Sequence, residues 1–137
     1  MKNQSSIIKA TQAGGKVLIQ YFSQNLKIKR KSTPADLQTN ADLASEKAIL
    51  EVLKKEFPKY NIWSEEVGLI DKKSEYSFVI DPLDGTLNFI YGISYFSVAI
   101  ALMKEKETLF SVIYDIRQEH PVMSVLGLTG MNCRRAS

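Results

Sequence analysis

The sequence predicts an α+β fold in which two N-terminal helices pack on a mainly antiparallel β-sheet. Up to about residue 58 the apolar side chains recur with helical spacing, whereas after residue 76 they alternate or run together as in β-strands. Helices followed by strands favour a layered α+β architecture over repeated βαβ units. The chain has 137 residues, of which 45% are hydrophobic and 24% charged, so residues 1–137 are expected to form a single domain with its own core.

The first helix is predicted over residues 4–22, where apolar side chains return every three or four positions on one face. The adjacent Gly14 and Gly15 weaken a helix, so they indicate close packing against a neighbouring element. Residues 27–34 follow as a basic connector ending in Ser-Thr-Pro. Net charge is only +3, and the Lys-Ile-Lys-Arg-Lys run is interpreted as a solvated loop or an edge strand. Because no aromatic residues are interleaved with it, no nucleic-acid partner is expected.

The second helix is predicted to start after Thr39, a residue that caps helices well. Asp42 follows three positions later, as in a capping box with a shorter acid, and Pro58 ends the helical pattern. Residues 61–64 are predicted as a short strand, and residues 68–74 as a polar loop.

The remaining elements are predicted as strands. The apolar residues 78–80 form a strand that enters an Asp-Pro turn. Residues 95–103 are almost all apolar or small, which indicates a strand covered on both faces. After a charged turn at residues 104–107, residues 109–114 are predicted as the returning strand of a hairpin.

Several classes of protein are disfavoured by what the sequence contains. The densest apolar stretch, residues 95–103, is too short to cross a bilayer, and the N-terminus lacks the apolar run of a signal peptide, so a cytoplasmic location without membrane contact is expected. The single cysteine, Cys133, excludes an internal disulfide and a cysteine-rich zinc site. With His120 as the single histidine, a histidine-based metal centre is not expected.

Acidic residues follow two of the predicted strands, where the chain leaves the sheet. Asp81 and Asp84 flank Pro82 in a turn of restricted freedom, and Glu65 begins an acidic pair after the short strand. Hard cations such as Mg²⁺ bind carboxylate and carbonyl oxygens, and the carbonyl of Leu83 would face the same side as the two aspartates. These residues are therefore candidate ligands of one or two metal ions.

Gly85 and Thr86 come directly after these acids. A glycine lets the backbone approach a ligand closely, and amides at a helix start bind anions. Cations beside an anion site are what phosphoryl transfer requires. Asp-Pro and Asp-Gly are also common turn dipeptides, and Asp42 has an ordinary use as a helix cap. The longer string after Phe-Val-Ile is nevertheless too specific for a simple turn.

The string resembles the motif of the inositol monophosphatase family, within the lithium-sensitive, magnesium-dependent sugar phosphatases. The motif is Asp81-Pro82-Leu83-Asp84-Gly85-Thr86-Leu87-Asn88-Phe89. The resemblance extends to residues 36–42, to residues 63–66 and to the strand after the motif, from about residue 27 to about residue 115. It implies a layered α/β sandwich of the sugar-phosphatase type, with Mg²⁺ as cofactor.

The resemblance also implies a set of metal ligands. Glu65, Asp81 and the Leu83 carbonyl would hold the first ion, and Asp81 with Asp84 would contribute to the second. Glu65 would also lie near a third, more weakly held ion.

For catalysis, the resemblance implies that Glu65 and Thr86 place the attacking water. Asp42 would bond to the Thr86 hydroxyl and support its basicity, while Asp84 and the amides of Gly85 and Thr86 would hold the substrate phosphate. The attack would be in line, without a covalent phosphoenzyme. The haloacid dehalogenase-type phosphatases share the letters Leu-Asp-Gly-Thr-Leu, but their nucleophilic aspartate is replaced here by Pro82, which excludes that mechanism.

The implied substrate is inositol monophosphate or a similar small sugar or polyol phosphate. Alternatives are a bisphosphate phosphatase acting on nucleotides or fructose, and a catalytically incomplete remnant that binds metal or a protein partner. The family's later Trp-Asp segment has no counterpart, since Trp63 is the only tryptophan, and residues 125–137 resemble the glycine-rich hairpin that leads into the second half. We therefore expect the C-terminal half to be absent, and a homo-oligomer or a partner that supplies it.

Overall fold

The computed structural model describes residues 2–33, 36–116, 122–127 and 134–136, the last two segments as backbone. Cys133 and His120 lie outside these residues. Within the described part, the helices are α1 Lys2–Tyr21, α2 Asn40–Glu56 and α3 Thr86–Ile90. The strands are β1 Ile28–Arg30, β2 Leu37–Thr39, β3 Asn61–Ser64, β4 Gly68–Ile70, β5 Tyr76–Asp84, β6 Ser97–Lys104, β7 Glu107–Asp115, β8 Val122–Gly127 and β9 Arg134–Ala136.

The main sheet has seven strands in the order β4-β3-β5-β6-β7-β8-β9, and a separate small sheet joins β1 to β2. Every neighbouring pair in the main sheet is antiparallel except β3 and β5, which run parallel. Helices α1 and α2 pack on each other; α1 contacts β6 and β7, and α2 contacts β5. The predicted α+β class, with two N-terminal helices on a mainly antiparallel sheet, is confirmed.

The two glycines of α1 allow the close packing that the sequence predicted. A Cβ atom on Gly14 would lie 2.8 Å from the Ile49 side chain of α2, and one on Gly15 would lie 2.0 Å from the ring of Tyr114 in β7. Any larger side chain at either position would push the helix away from its neighbours. The prediction of close approach at these glycines is confirmed.

Helix α2 begins and ends where the sequence indicated. The Thr39 hydroxyl accepts hydrogen bonds from the amides of Ala41 and Asp42 at 3.1 and 3.4 Å, and the Thr39 amide donates to Asp42 Oδ2 at 2.8 Å. These reciprocal bonds form a capping box. The helix ends at Glu56, two residues before Pro58.

Two segments predicted as loops contain strands. Part of the predicted polar loop 68–74 is β4, which pairs with β3 and forms one edge of the main sheet, so that prediction was wrong. In the basic connector, β1 pairs antiparallel with β2, which supports the edge-strand interpretation over the loop. Both strands have three residues, and their formation depends on partners elsewhere in the chain.

The expected Asp-Pro turn is instead the irregular end of a strand. β5 continues to Asp84, but its register with β6 shifts between Asp81 and Asp84. Proline cannot donate a ladder hydrogen bond, which confines it to such irregular positions in a sheet. The chain leaves the sheet only after this bulge.

The prediction that residues 95–103 are covered on both faces was also wrong. In β6 the side chains of Val98, Ile100 and Leu102 are buried, whereas those between them are only partly covered. The same alternation places large apolar groups of neighbouring strands on one uncovered side. We call this the open face, and its most exposed members are Trp63, Leu69, Val79 and Ile113. Among the described residues, no helix is long and apolar enough to cross a membrane.

Candidate metal and phosphate site

One face of α2 reaches the segments that carry the predicted site residues. Asp42, Ser45 and Glu46 are spaced so that they lie on the same side of the helix, and all three are buried. Ser45 Oγ donates to the carbonyl oxygen of Pro82 at 2.7 Å, which fixes the bulge of β5. The second helix therefore connects the core to the candidate site through buried polar contacts.

Parallel pairing brings Glu65 beside Asp81. Ser64 is in register with Ile80, and the Glu65 amide donates to the Ile80 carbonyl at 3.3 Å, so the next residue on each strand meets its counterpart. The Asp81 side chain is hydrogen-bonded to that of Glu65. Burial raises the pKa of Asp81 to about 7, helped by the bond to Glu65 and by the negative charges of Glu65 and Asp84.

Gly85 and Thr86 form the start of α3. Gly85 has φ of 92°, and a Cβ atom there would lie 2.9 Å from the Tyr95 carbonyl oxygen, so glycine is needed for both conformation and space. The Thr86 hydroxyl lies 3.1 Å from Asp42 Oδ1 and 3.3 Å from the Leu83 carbonyl oxygen. The contact expected between Asp42 and Thr86 is therefore present.

The Asp42 carboxyl is almost fully enclosed between α2 and α3. Burial raises its pKa, while the hydrogen bonds from Thr39 and Thr86 partly oppose that rise. Both of its oxygens accept hydrogen bonds, one from Thr39 and the other from Thr86. This arrangement orients the Thr86 hydroxyl.

The acidic residues do not all converge on one point. Asp84 is exposed and lines a cavity of about 170 Å³ with Tyr95 and Asp115, whereas Glu65 and Asp81 line a larger one. In the part of the chain that the structure describes, no group of three or more Asp, Glu, His or Cys side chains is placed to hold a metal ion. The Glu65–Asp81 pair does fit a hard cation, since two adjacent carboxylates need a positive charge or a proton between them. The shared ligand role of Asp84 stays a prediction.

The larger cavity, of about 650 Å³, opens on the open face beside the carboxyl pair. Its walls combine the two acids with apolar side chains, among them Trp63, Val79 and Met103. Such a groove has room for a small polar molecule next to the acids.

Sequence reasoning missed residues that hold the turn containing Glu65. Lys31, assigned to a solvated run, is partly buried, with Nζ 3.0 Å from Glu66 Oε1 and 3.6 Å from Glu65 Oε1. Burial alone would lower the pKa of Lys31, but the hydrogen bond to Glu66 and the charges of Glu66, Glu65 and Asp36 outweigh it and raise the pKa. Ser45 and Glu46 were also missed, although polar residues within the buried stripe of α2 are a usable signal.

Solved structures place the fold in the class of inositol monophosphatase-like proteins. The extragenic suppressor protein suhB from Bartonella henselae superposes with a TM-score of 0.88 at 30% identity, covering 94% of this chain and 50% of that one. The chain belongs to the inositol monophosphatase family, whose model matches residues 3–135, and this confirms the resemblance drawn from the motif.

Curated relatives have two kinds of name. A protein of Pasteurella multocida called Nus factor SuhB is 43% identical over 116 residues, which are 82% of this chain and 43% of the relative. A fructose-1,6-bisphosphatase/inositol-1-monophosphatase of Aquifex aeolicus is 38% identical over 109 residues, 77% of this chain and 40% of the relative. The chain thus spans less than half the length of these relatives.

Proposed function

We propose that the chain carries the site of a magnesium-dependent phosphomonoester hydrolase acting on inositol monophosphate or a similar small sugar or polyol phosphate. The observation that supports this most is the Glu65–Asp81 carboxyl pair, held together by parallel strands next to the Asp42–Thr86 hydrogen bond. A cation-binding pair beside an oriented hydroxyl is the arrangement that hydrolysis by activated water needs. A cytoplasmic location is part of the proposal and rests on the sequence alone.

In this proposal, Glu65, Asp81, Asp84 and the Leu83 carbonyl hold Mg²⁺. When bound, the ion supplies charge neutralisation for the phosphate and lowers the pKa of an attacking water. The donors are all oxygens, as magnesium prefers. The Leu83 carbonyl already lies 3.3 Å from the Thr86 hydroxyl, so this hydroxyl sits next to the proposed ligands.

Thr86 and Asp42 place the water. Since the Thr86 hydroxyl donates to Asp42 Oδ1, its free lone pairs accept a hydrogen bond from water. As the water oxygen bonds to phosphorus, the bond from phosphorus to the ester oxygen breaks. The water proton passes toward Thr86 and Asp42, and the alcohol leaves with a proton from solvent.

Gly85 and Thr86 offer backbone amides to the phosphate. The positive φ of Gly85 turns the chain into α3, while the space that a side chain would fill is taken by the backbone of Tyr95. Because α3 has only five residues, the attraction comes from the local N–H groups more than from a helix dipole.

The test is release of phosphate from inositol monophosphate by the 137-residue chain, with and without Mg²⁺. We expect Mg²⁺-dependent turnover that Asp84→Asn lowers at least about a hundredfold, the range for loss of a group that stabilises the transition state. Asp71→Asn is the matched control, since Asp71 is an exposed acid whose hydrogen bonds are with Lys73. Fructose 1,6-bisphosphate and a nucleotide bisphosphate are assayed in parallel, and inhibition by lithium is a further expectation.

A second candidate function is a non-catalytic module that binds metal or a protein partner. It is favoured by the placement of Asp84 in a different cavity from the Glu65–Asp81 pair and by the length of the relatives, which is about twice that of the chain. In this case Mg²⁺ binding in calorimetry occurs without hydrolysis of any of the three substrates.

Assembly as a homo-oligomer, or with a chain that supplies the second half, is compatible with both functions and is checked by sedimentation. The absence of both turnover and Mg²⁺ binding would contradict the hydrolase and the metal-binding module alike.

A further inference from the structure

The turn that carries Glu65 is held by a buried carboxylate that the proposed reaction does not use. Glu46 lies one helical turn after Asp42 in α2, and only 7% of it is exposed. Its Oε2 accepts hydrogen bonds from Ser64 Oγ at 2.6 Å, from the Glu66 amide at 3.2 Å and from the Val67 amide at 3.0 Å. These donors precede and follow Glu65 in the chain.

A carboxylate suits this position because all three donors converge on one of its oxygens. A carboxylate oxygen is a stronger acceptor than an amide oxygen, and an aliphatic group accepts no hydrogen bond. A buried charge is costly unless it is fully hydrogen-bonded. The apolar packing of α2 is already provided by Ile49, Leu50 and Leu53, so the carboxylate acts on the turn and not on the core volume.

A second set of contacts holds the same turn through the side chain of Glu66. The Glu66 carboxylate, 1% exposed, accepts from Lys31 Nζ at 3.0 Å and from the side-chain amide of Gln38. Backbone and side chain next to Glu65 are therefore both anchored. The Glu65 side chain itself stays 44% exposed and points toward Asp81.

We propose that Glu46 is a positioning residue, whose buried carboxylate sets the backbone of the turn at residues 64–67 and so aims Glu65 at Asp81. The inference rests on the proposed function in so far as Glu65 is a metal ligand. Groups that support metal ligands typically change metal affinity about 10- to 100-fold when removed. Together with Ser45 and Asp42, Glu46 makes α2 the element on which three segments of the site are aligned.

Two variants of Glu46 separate positioning from simple packing. Glu46→Ala removes the acceptor of all three hydrogen bonds, and Glu46→Gln keeps a neutral, weaker acceptor oxygen. Glu51→Ala is the control, because Glu51 is an exposed acid on the same helix. Amide hydrogen exchange of Glu66 and Val67 is measured by NMR, and binding of Mg²⁺ alone is measured by calorimetry.

We expect exchange at both amides to be at least about tenfold faster in Glu46→Ala, less changed in Glu46→Gln and unchanged in Glu51→Ala. The Mg²⁺ dissociation constant should rise about 10- to 100-fold in Glu46→Ala and by a smaller factor in Glu46→Gln. Exchange in the core strand at Leu102 should stay slow in every variant, which shows that the fold persists.

Unchanged exchange at Glu66 and Val67 in Glu46→Ala would overturn the inference, as would faster exchange with wild-type Mg²⁺ affinity. If the wild-type chain binds no Mg²⁺, the proposed function fails, while the exchange data still decide whether Glu46 holds the turn. Should Glu46→Ala not fold, Ser64→Ala removes one donor from the other side of the same contact. It is then expected to raise exchange at both amides by a smaller factor, and no change would count against the inference.

Discussion

On the side of the main sheet that α1 and α2 cover, Phe78, Val98 and Val112 have no exposed surface, whereas on the open face Trp63 and Ile113 are 62% and 48% exposed. An antiparallel sheet with one face in water normally presents polar groups there. The open face is instead lined by apolar and small side chains around the Glu65–Asp81 pair. The open face thus lacks cover although it carries large apolar side chains.

The candidate site lies at the border between these faces. Its backbone is fixed from the covered side, where Asp42, Ser45 and Glu46 are buried and hydrogen-bonded. Among the described residues, no buried side-chain polar atom lacks a partner. The groups available to a ligand, Glu65 and Asp81, border the cavity on the open side. The hydrogen bonds that fix the backbone of the candidate site and the carboxyl pair that borders the cavity therefore lie on opposite sides of one sheet.

The largest expected effect is on the covered side, at the contact between α1 and β7. Gly15→Ala would place a methyl group 2.0 Å from the Tyr114 ring, and this overpacking should lower the free energy of unfolding by about 3 kcal/mol or more. The gain in helix propensity, about 1 kcal/mol, offsets only part of it. Chemical denaturation measures the change. In a Tyr114→Ala background the same substitution should cost almost nothing, and an equal cost in both backgrounds would show that the clash is not the cause.

The next effect concerns the point where the chain leaves the sheet. Gly85→Ala forces a side chain into a positive φ and to within 2.9 Å of the Tyr95 carbonyl oxygen, so we expect a loss of about 3 kcal/mol. Gly92→Ala shares the positive φ of 72° but meets nothing within 4 Å, and should cost about 1 kcal/mol. The difference between the two in thermal or denaturant unfolding isolates the backbone contact. Equal losses would contradict it.

Short sequence patterns were sufficient to predict those elements that depend on contacts between residues close together in the chain. The capping box at Thr39 and Asp42, the end of α2 before Pro58 and the strand β3 follow from short sequence patterns. Strand β4 and the bulge of β5 could not be predicted in this way, because they depend on pairing with distant strands. Whether one or both faces of a strand are buried also depends on which elements pack on the sheet. The apolar and small residues of β6 would look alike in either case, so the sequence did not show that one face is uncovered.

The sequence pointed to candidate ligands but not to the residues that hold the turn beside them. The motif pointed to Asp81 and Thr86 through residue types that bind cations and water. It contained no sign of Glu46 or Lys31, since each contacts a turn that lies 18 or more residues away. Long-range polar contacts of this kind become visible only when the helix and the turn are placed together.

A direct comparison of the faces uses one chemical change on each side. Val112→Ala removes two buried methyl groups on the covered side and should lower the free energy of unfolding by about 2 kcal/mol. Val79→Ala makes the same change on the open face, where Val79 is 39% exposed, and should cost less than about 1 kcal/mol. Equal losses would mean that the open face is covered in solution, for example by a second copy of the chain. Repeating the pair of measurements over a range of protein concentrations tests that explanation.

The last comparison is electrostatic and belongs to the open side. In metal-free buffer the pKa of Asp81 is raised to about 7 by burial and by Glu65 and Asp84, against about 3.9 in an unfolded chain. The folded state therefore binds more protons than the unfolded state between these values, and stability should fall as pH rises from about 4 to about 7. Asp81→Asn has no such titration, so its stability relative to wild type should increase over that range. Asp71→Asn is the opposite case and acts at lower pH. The hydrogen bonds from Lys73 lower the pKa of Asp71, so the stability advantage of wild type over this variant should be lost as pH falls. Parallel pH profiles for wild type and Asp81→Asn would show that Glu65 and Asp81 do not share a site in solution.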